Sequence, residues 1–267
     1  MKAYLINLPD ATARLAHMRE ALGRIGVPFE RFDALDPERA AKHPCFARIQ
    51  PLKARRWIPG EIACLLSHYD VWRRIADGAD EFGMVMEDDL LVDPRLKKVV
   101  DGESGIPHDA DVVKLETGEY QTVALSRRSV STSGGPAYRR LLSVHYGAGA
   151  YVLSRKAAQL LTARTTLLNV PADDLLFSGT HSTGKRLRVY QAVPGMAIQS
   201  ANLPAGDQLT YLSSGLDEDR RKGWESARYE SRTLPALYAR LKRSVSERYW
   251  QVFECRMIVP FGARGEL

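Results

Sequence analysis

An α/β fold, a sheet with helices packed against it, is what the order of apolar segments predicts. Three observations carry that expectation. Strand-like, helix-like and strand-like segments follow one another inside the first 32 residues. Apolar runs of strand length recur down the chain, separated by amphipathic stretches. The chain has 267 residues, 45% hydrophobic and 26% charged, enough to bury a sizeable core. Collagen-like and disordered classes are excluded by that composition.

The elements are justified in order. Residues 3–8 are a short apolar run closed by Pro9-Asp10, a strand in expectation. Asp10 is the expected N-cap of a helix whose apolar stripe is Leu15, Met18, Leu22 and Ile25, with Gly26 as its stop. Residues 29–32 read as a second strand. Residues 44–59 are basic and irregular and read as a loop. Pro59-Gly60-Glu61 then opens a helix striped by Ile62, Leu65, Leu66, Tyr69, Trp72 and Ile75. Residues 82–86 form a strand that runs into Glu87-Asp88-Asp89. Residues 112–115, 149–153 and 189–193 are further strands. Ser154 caps a helix over 155–163, and Pro171 with Asp173 and Asp174 opens a short one. The Ser/Arg/Gly-rich stretch 126–136 reads as a loop, and 234–253 as a basic helix.

Charge is unevenly spread. The net charge is +6, and residues 220–267, with 11 basic and 5 acidic side chains, carry all of it. Three cysteines, none in a CxxC, exclude a disulfide scaffold and a four-cysteine zinc site. No apolar run approaches the roughly 20 residues of a membrane span. The opening MKAYLINLPD turns polar too soon for a secretory signal. A cytoplasmic protein is expected. GxxxxGK[ST], a GxGxxG after the first strand, and GxSxG are all absent, which argues against P-loop, dinucleotide and common hydrolase chemistry.

Three motifs could carry chemistry. In extended backbone, residues i and i+2 share a face, so Glu87 and Asp89 point together and Asp88 points away. Two carboxylates on one face are stabilised by a hard divalent cation such as Mg²⁺ or Mn²⁺, which can in turn hold a diphosphate. The plain alternative is a solvated acidic turn. On the helix GEIACLLSHYDVW, Glu61, Cys64 and His68 lie along one side with Ser67 near. They form a polar seam on a pocket, or else a buried cysteine and a packed histidine. In PADDLLF, Asp173 and Asp174 either complement the helix dipole or supply a general base.

With these blocks in hand, the chain resembles glycosyltransferase family 25, which includes bacterial lipooligosaccharide galactosyltransferases and collagen galactosyltransferase domains. The blocks are Ile6-Asn7-Leu8 with Arg14, then 32–36, then 60–68 with Trp72, then Glu87-Asp88-Asp89. Residues 149–154 with Ala157-Ala158, then Pro171-Ala172-Asp173, Val193-Pro194 and Gln199 continue the match, which covers roughly 1–200. The resemblance implies a GT-A-like, Rossmann-type nucleotide-sugar-binding sheet over 1–210. Residues 211–267 are expected to be a basic, mainly helical extension packed on that sheet. It implies an inverting transfer of a hexose, most simply galactose, from a UDP-sugar. Glu87 and Asp89 would hold Mn²⁺ or Mg²⁺. Asn7, Leu8, Arg14, Glu61, Ser67, His68 and Asp88 would line the donor cleft. Asp173, with Asp174 beside it, would be the base or an acceptor contact.

The tail bears on the acceptor. Arg220, Arg221, Lys222, Arg240, Lys242, Arg243 and Arg248 lie among Trp224, Tyr238, Tyr249 and Trp250. A basic aromatic segment suits an anionic membrane surface and a lipid-linked oligosaccharide, or it is a solvated face. Nucleic acid is not expected as a partner, because no recognised nucleic-acid fold accompanies the charge. Two other functions compete: a nucleotidyl- or phosphotransferase using the same acidic triplet, and a non-catalytic nucleotide-sugar- or glycan-binding relative.

Overall fold

The computed structural model describes residues 1–49, 57–118, 120–131, 135–163, 168–178, 187–203, 207–212 and 254–262. The chain opens with β1 (Lys2–Asn7), α1 (Thr12–Arg24) and β2 (Glu30–Asp33). The short α2 (Pro37–Ala41) follows, with Asp36 Oδ1 accepting from Arg39 N at 2.8 Å as its cap. Next come α3 (Pro59–Ala76), β3 (Phe82–Glu87), β4 (Leu90–Val92), α4 (Leu96–Val100) and β5 (Val112–Lys114). β6 (Thr122–Ser131) and β7 (Ala137–Leu141) form an antiparallel pair. The described chain continues through β8 (Ala150–Ser154), α5 (Arg155–Ala163), α6 (Ala172–Phe177), β9 (Val189–Val193), β10 (Ala197–Gln199) and β11 (Glu254–Ile258).

Among the described residues a nine-stranded mixed sheet runs in the order β11-β6-β7-β9-β5-β8-β3-β1-β2. β2, β1 and β3 are parallel to one another, as are β5 and β9; the remaining neighbours are antiparallel. β4 and β10 form a separate antiparallel ribbon. The centre of the sheet is buried on both faces. Alternation along β1 sends Tyr4 and Ile6 to a core shared with α3, α5 and α6, where Trp72, Leu161 and Phe177 pack. Ala3 and Leu5 face the other core, with Met18 and Leu22 of α1 and Val99 of α4. Burial on two faces explains why the central strands read as unbroken apolar runs.

Several expectations are corrected. Asp10 does not cap α1: the cap position is Ala11, without a side-chain bond, and Asp10 contributes only its carbonyl, to Thr12 N. The supposed loop 126–136 is largely strand, because 122–131 pair with β7 and β11. Its serines and arginines hid the pattern. Val123 and Leu125 point inward against Val259, while the polar residues face outward. The expected helix 234–253 and the basic side chains 220–250 lie outside the described residues. Downstream of them, β11 joins the main sheet on β6. No helix among the described residues is long and apolar enough to cross a membrane.

Candidate active site

The acidic triplet sits where β3 ends. Glu87 N still donates to Gly149 O of the neighbouring segment at 2.8 Å, so the backbone remains sheet-like as the carboxylates emerge. Alternation then divides them. Glu87 and Asp89 both reach the amide of Gln199, at the end of β10. Gln199 Nε2 donates to Glu87 Oε2 at 2.8 Å and lies 3.3 and 3.2 Å from the two Asp89 oxygens. Asp88 turns the other way, to β1 and α1. Its Oδ2 accepts from Asn7 Nδ2 at 2.6 Å, and Arg14 Nη1 lies 3.2 Å from its Oδ1.

Burial dominates the electrostatics. Asp88 has its pKa raised because desolvation outweighs the lowering by Arg14 and Asn7. Asp89 is pushed well above the usual carboxylate range, first by burial and then by the charges of Glu87 and Asp88. Asn7 also donates to Ala11 O at 3.1 Å. Its Oδ1 is buried with no partner among the described residues. Leu8 closes β1, its carbonyl accepting from Ala11 N at 3.0 Å.

His68 is fully buried on α3 and bridges two groups. Nδ1 meets Tyr151 Oη at 2.9 Å, and Nε2 meets Glu87 Oε1 at 3.0 Å. Trp72 Nε1 donates to Tyr151 Oη at 2.6 Å. An ionised carboxylate can only accept, so Nε2 donates to Glu87; Nδ1 of the neutral ring then accepts from the tyrosine hydroxyl, which itself accepts from the indole N–H of Trp72. The histidine proton is thereby placed on Nε2, directed at Glu87. Cys64 Sγ lies 3.9 Å from Glu87 Oε1, and one ligand atom each of Cys64, His68 and Glu87 lies within 4.8 Å of the others. In this arrangement the three side chains form a hydrogen-bonded seam.

Glu61 and Ser67 serve the backbone. Glu61 Oε2 accepts from Ile58 N at the start of α3, at 3.4 Å. Ser67 Oγ donates to Ala63 O at 2.8 Å and accepts from Leu35 N at 2.9 Å, tying α3 to the segment after β2.

Asp173 lies in the first turn of α6. Its Oδ1 accepts from Asp174 N at 2.9 Å and its Oδ2 from Gly147 N at 3.1 Å. The loop containing Gly147 is braced from beneath by a pair the sequence reading passed over. Lys114 and Glu116 are both fully buried, 3.1 Å apart. Lys114 Nζ also donates to the carbonyls of Tyr146, at 3.0 Å, and of Gly147. Glu116 Oε2 accepts from Gly149 N at 2.8 Å. One short loop thus touches Asp173 through Gly147 and Glu87 through Gly149. Gly147 has φ 89°, and a Cβ there would fall 2.6 Å from Glu116 Oε1, so both conformation and space demand glycine.

Glu87, Asp89 and Gln199 are all hard-oxygen side chains, two of them carboxylates drawn to a single point, and they fit Mg²⁺ or Mn²⁺. Gln199, Lys114, Glu116 and Tyr151 are the site residues to which sequence reasoning gave no role. Lys114 and Glu116 did leave a signal: two opposite charges at i and i+2, on one face, at the end of an apolar strand.

The family model described as glycosyltransferase family 25 (LPS biosynthesis protein) matches residues 1–176. The chain is 30% identical over 231 residues to the lacto-N-neotetraose biosynthesis glycosyltransferase LgtB of Neisseria gonorrhoeae, covering 83% of this chain and 82% of that one. It is 26% identical over 268 residues to the lipooligosaccharide biosynthesis protein lic2B of Haemophilus influenzae, covering 97% and 98%. Among solved structures, a glycosyltransferase involved in glycosylation of the major capsid of PBCV-1 aligns with TM-score 0.44 and 9% identity, over 82% of this chain and 97% of that one.

Proposed function

The chain belongs to glycosyltransferase family 25, and on that premise we propose that it moves a hexose, galactose, from a UDP-sugar to a hydroxyl of a lipooligosaccharide or related polysaccharide acceptor. The relatives act in the biosynthesis of such glycans, by their names. The observation that supports a nucleotide-sugar donor is the convergence of Glu87 and Asp89 on one amide at a strand end, with Asp88, Arg14 and Asn7 alongside. Ligands bind at such strand ends in α/β sheets.

Glu87 and Asp89 would hold Mn²⁺ or Mg²⁺. When bound, the cation offsets the charge of the departing UDP. Asn7 keeps a buried acceptor, Oδ1, suited to a ribose or sugar hydroxyl. Inversion needs a single displacement: the acceptor oxygen bonds to the anomeric carbon as the bond to the diphosphate breaks. The acceptor proton goes to a carboxylate, which we assign to Asp173, with Asp174 setting its turn. The backbone N–H groups of Gly147 and Asp174 keep its two oxygens oriented, each with a lone pair to spare. His68, with its proton on Nε2, holds Glu87 in place.

The test is UDP release from a panel of UDP-sugars, with and without Mn²⁺, followed by acceptor addition. Mn²⁺-dependent UDP release from one donor, abolished in Asp89→Ala with the fold retained, is expected. Release of pyrophosphate would instead indicate nucleotidyl transfer. Binding of UDP-sugar without turnover would indicate a non-catalytic relative.

A further inference from the structure

We propose that Gln199 is the third protein ligand of the cation held by Glu87 and Asp89, and that its side-chain amide turns over between the empty and loaded states. The inference depends on the metal-dependent reading above and adds to it a residue and a movement.

Three distances describe the amide against the two carboxylates. Gln199 Nε2 lies 2.8 Å from Glu87 Oε2 and 3.3 and 3.2 Å from Asp89 Oδ1 and Oδ2. A primary amide has two N–H hydrogens, so three carboxylate oxygens share two donors. One neutral amide therefore stands between two carboxylates, at the point where their charges converge. It supplies hydrogen bonds there but no charge.

The stem of Gln199 is held firmly. Gln199 pairs with Leu90 in the β4–β10 ribbon, and Ser200 N donates to Asp89 O at 2.9 Å. A Cβ built on Gly149 would lie 3.1 Å from Gln199 Cγ, so that glycine allows the stem its close approach. Only the terminal amide is left to move. Its last torsion is broad and two-fold, and half a turn exchanges Nε2 for Oε1 with little displacement of anything else. In the empty site the turned amide would set a carbonyl oxygen against two carboxylates. Around a cation it would be a hard oxygen ligand completing a set of three. The remaining positions of a six-coordinate Mg²⁺ or Mn²⁺ would be open to diphosphate and water. Neither a carboxylate nor a hydrocarbon at position 199 could serve both states.

The experiment measures Mn²⁺ binding by calorimetry and thermal unfolding with and without Mn²⁺, on the full chain and without sugar. Wild type, Gln199→Leu and Gln199→Glu are compared. Expected is a fall in Mn²⁺ affinity of about tenfold or more in Gln199→Leu, with a lower metal-free Tm. Gln199→Glu should show a lower metal-free Tm than wild type, Mn²⁺ affinity at least equal to wild type, and the largest Mn²⁺-induced rise in Tm. Unchanged or tighter Mn²⁺ binding by Gln199→Leu would overturn the ligand assignment alone, making the amide a mere competitor of the cation. If Gln199→Leu does not fold, Gln199→Glu decides: weaker Mn²⁺ binding than wild type overturns the proposal. Wild type that binds no Mn²⁺, while a separate calorimetric titration shows that it binds UDP-sugar, would overturn the metal-dependent reading together with this one.

Discussion

Tyr151 decides the behaviour of a residue 83 positions away, His68. Its hydroxyl stands between an obligate donor, Trp72 Nε1, and the imidazole Nδ1. Tyr151→Phe removes it and strands both partners in the core, at a cost of about 1–3 kcal/mol in stability. It also frees the His68 tautomer, so kcat for UDP-sugar turnover should fall while the circular-dichroism spectrum stays native. Full activity in this variant would separate the His68 chain from catalysis. At Asp173 the expected signature differs. Asp173→Asn should lower kcat by two or more orders of magnitude, with little change in donor KM, if the carboxylate takes the acceptor proton. A loss confined to acceptor KM would reassign it to binding. Residue-level reading of the sequence succeeded where a local rule applied. The two-residue period of a strand places Glu87 and Asp89 together and Asp88 apart, as the structure shows. It was blind to partners set by the long-range fold, such as Gln199 for the carboxylates. It was equally blind to the bonds by which Ser67 ties α3 to the segment after β2.

Elements that bury apolar stripes were legible, because their periodicity records the core they face. α3 and α5 and the strands β1, β3, β5, β8 and β9 fall close to their expected positions. β6 was not, since its outward side chains are polar and the inward ones are few. The short β4 and β10 carry too few residues for any period to show, yet β10 delivers Gln199. At this scale the Lys114–Glu116 pair is the fixture that joins β5 to the loop between β7 and β8. Lys114→Met should cost about 3–5 kcal/mol, because Glu116 is left charged and buried. Adding Glu116→Gln should restore part of that loss, and a double-mutant cycle by urea unfolding measures it.

At the scale of the whole molecule, His145 contributes a loss of stability on mild acidification, opposed by Asp88, Asp89 and Glu116, whose pKa values burial raises in the fold. His145 is buried, its Nδ1 is 2.8 Å from Gln191 Oε1, and its pKa is lowered to about 3, first by burial and then by the charge of Lys114. The unfolded chain takes up a proton near pH 6.5 that the folded chain refuses until about pH 3. Stability is therefore intact above pH 6.5 and declines below it, by up to about 1.4 kcal/mol per pH unit from this group. His145→Gln should flatten that acid limb in a series of urea midpoints. The uneven charge predicts a second global property. If the basic 220–250 segment meets the membrane, the protein should sediment with anionic but not neutral vesicles, and 0.5 M salt should release it. Equal binding to neutral vesicles would remove that role.

The pairing of β11 with β6 has a consequence in time. Cys255 is matched to Leu125 and Ile258 to Thr122, and Thr117 Oγ1 donates to Val259 O at 2.5 Å. These contacts join segments separated by well over a hundred residues. During synthesis, β6 is therefore made long before the strand that covers it, and its free amide and carbonyl row is exposed while the intervening chain emerges. Arg127 and Arg128 of β6, which hid it from sequence reading, stand at the end of that temporary edge, just past Ser126. Their charge opposes pairing with another copy until the proper partner arrives. What makes this strand hard to recognise is thus what keeps the nascent chain from associating through it.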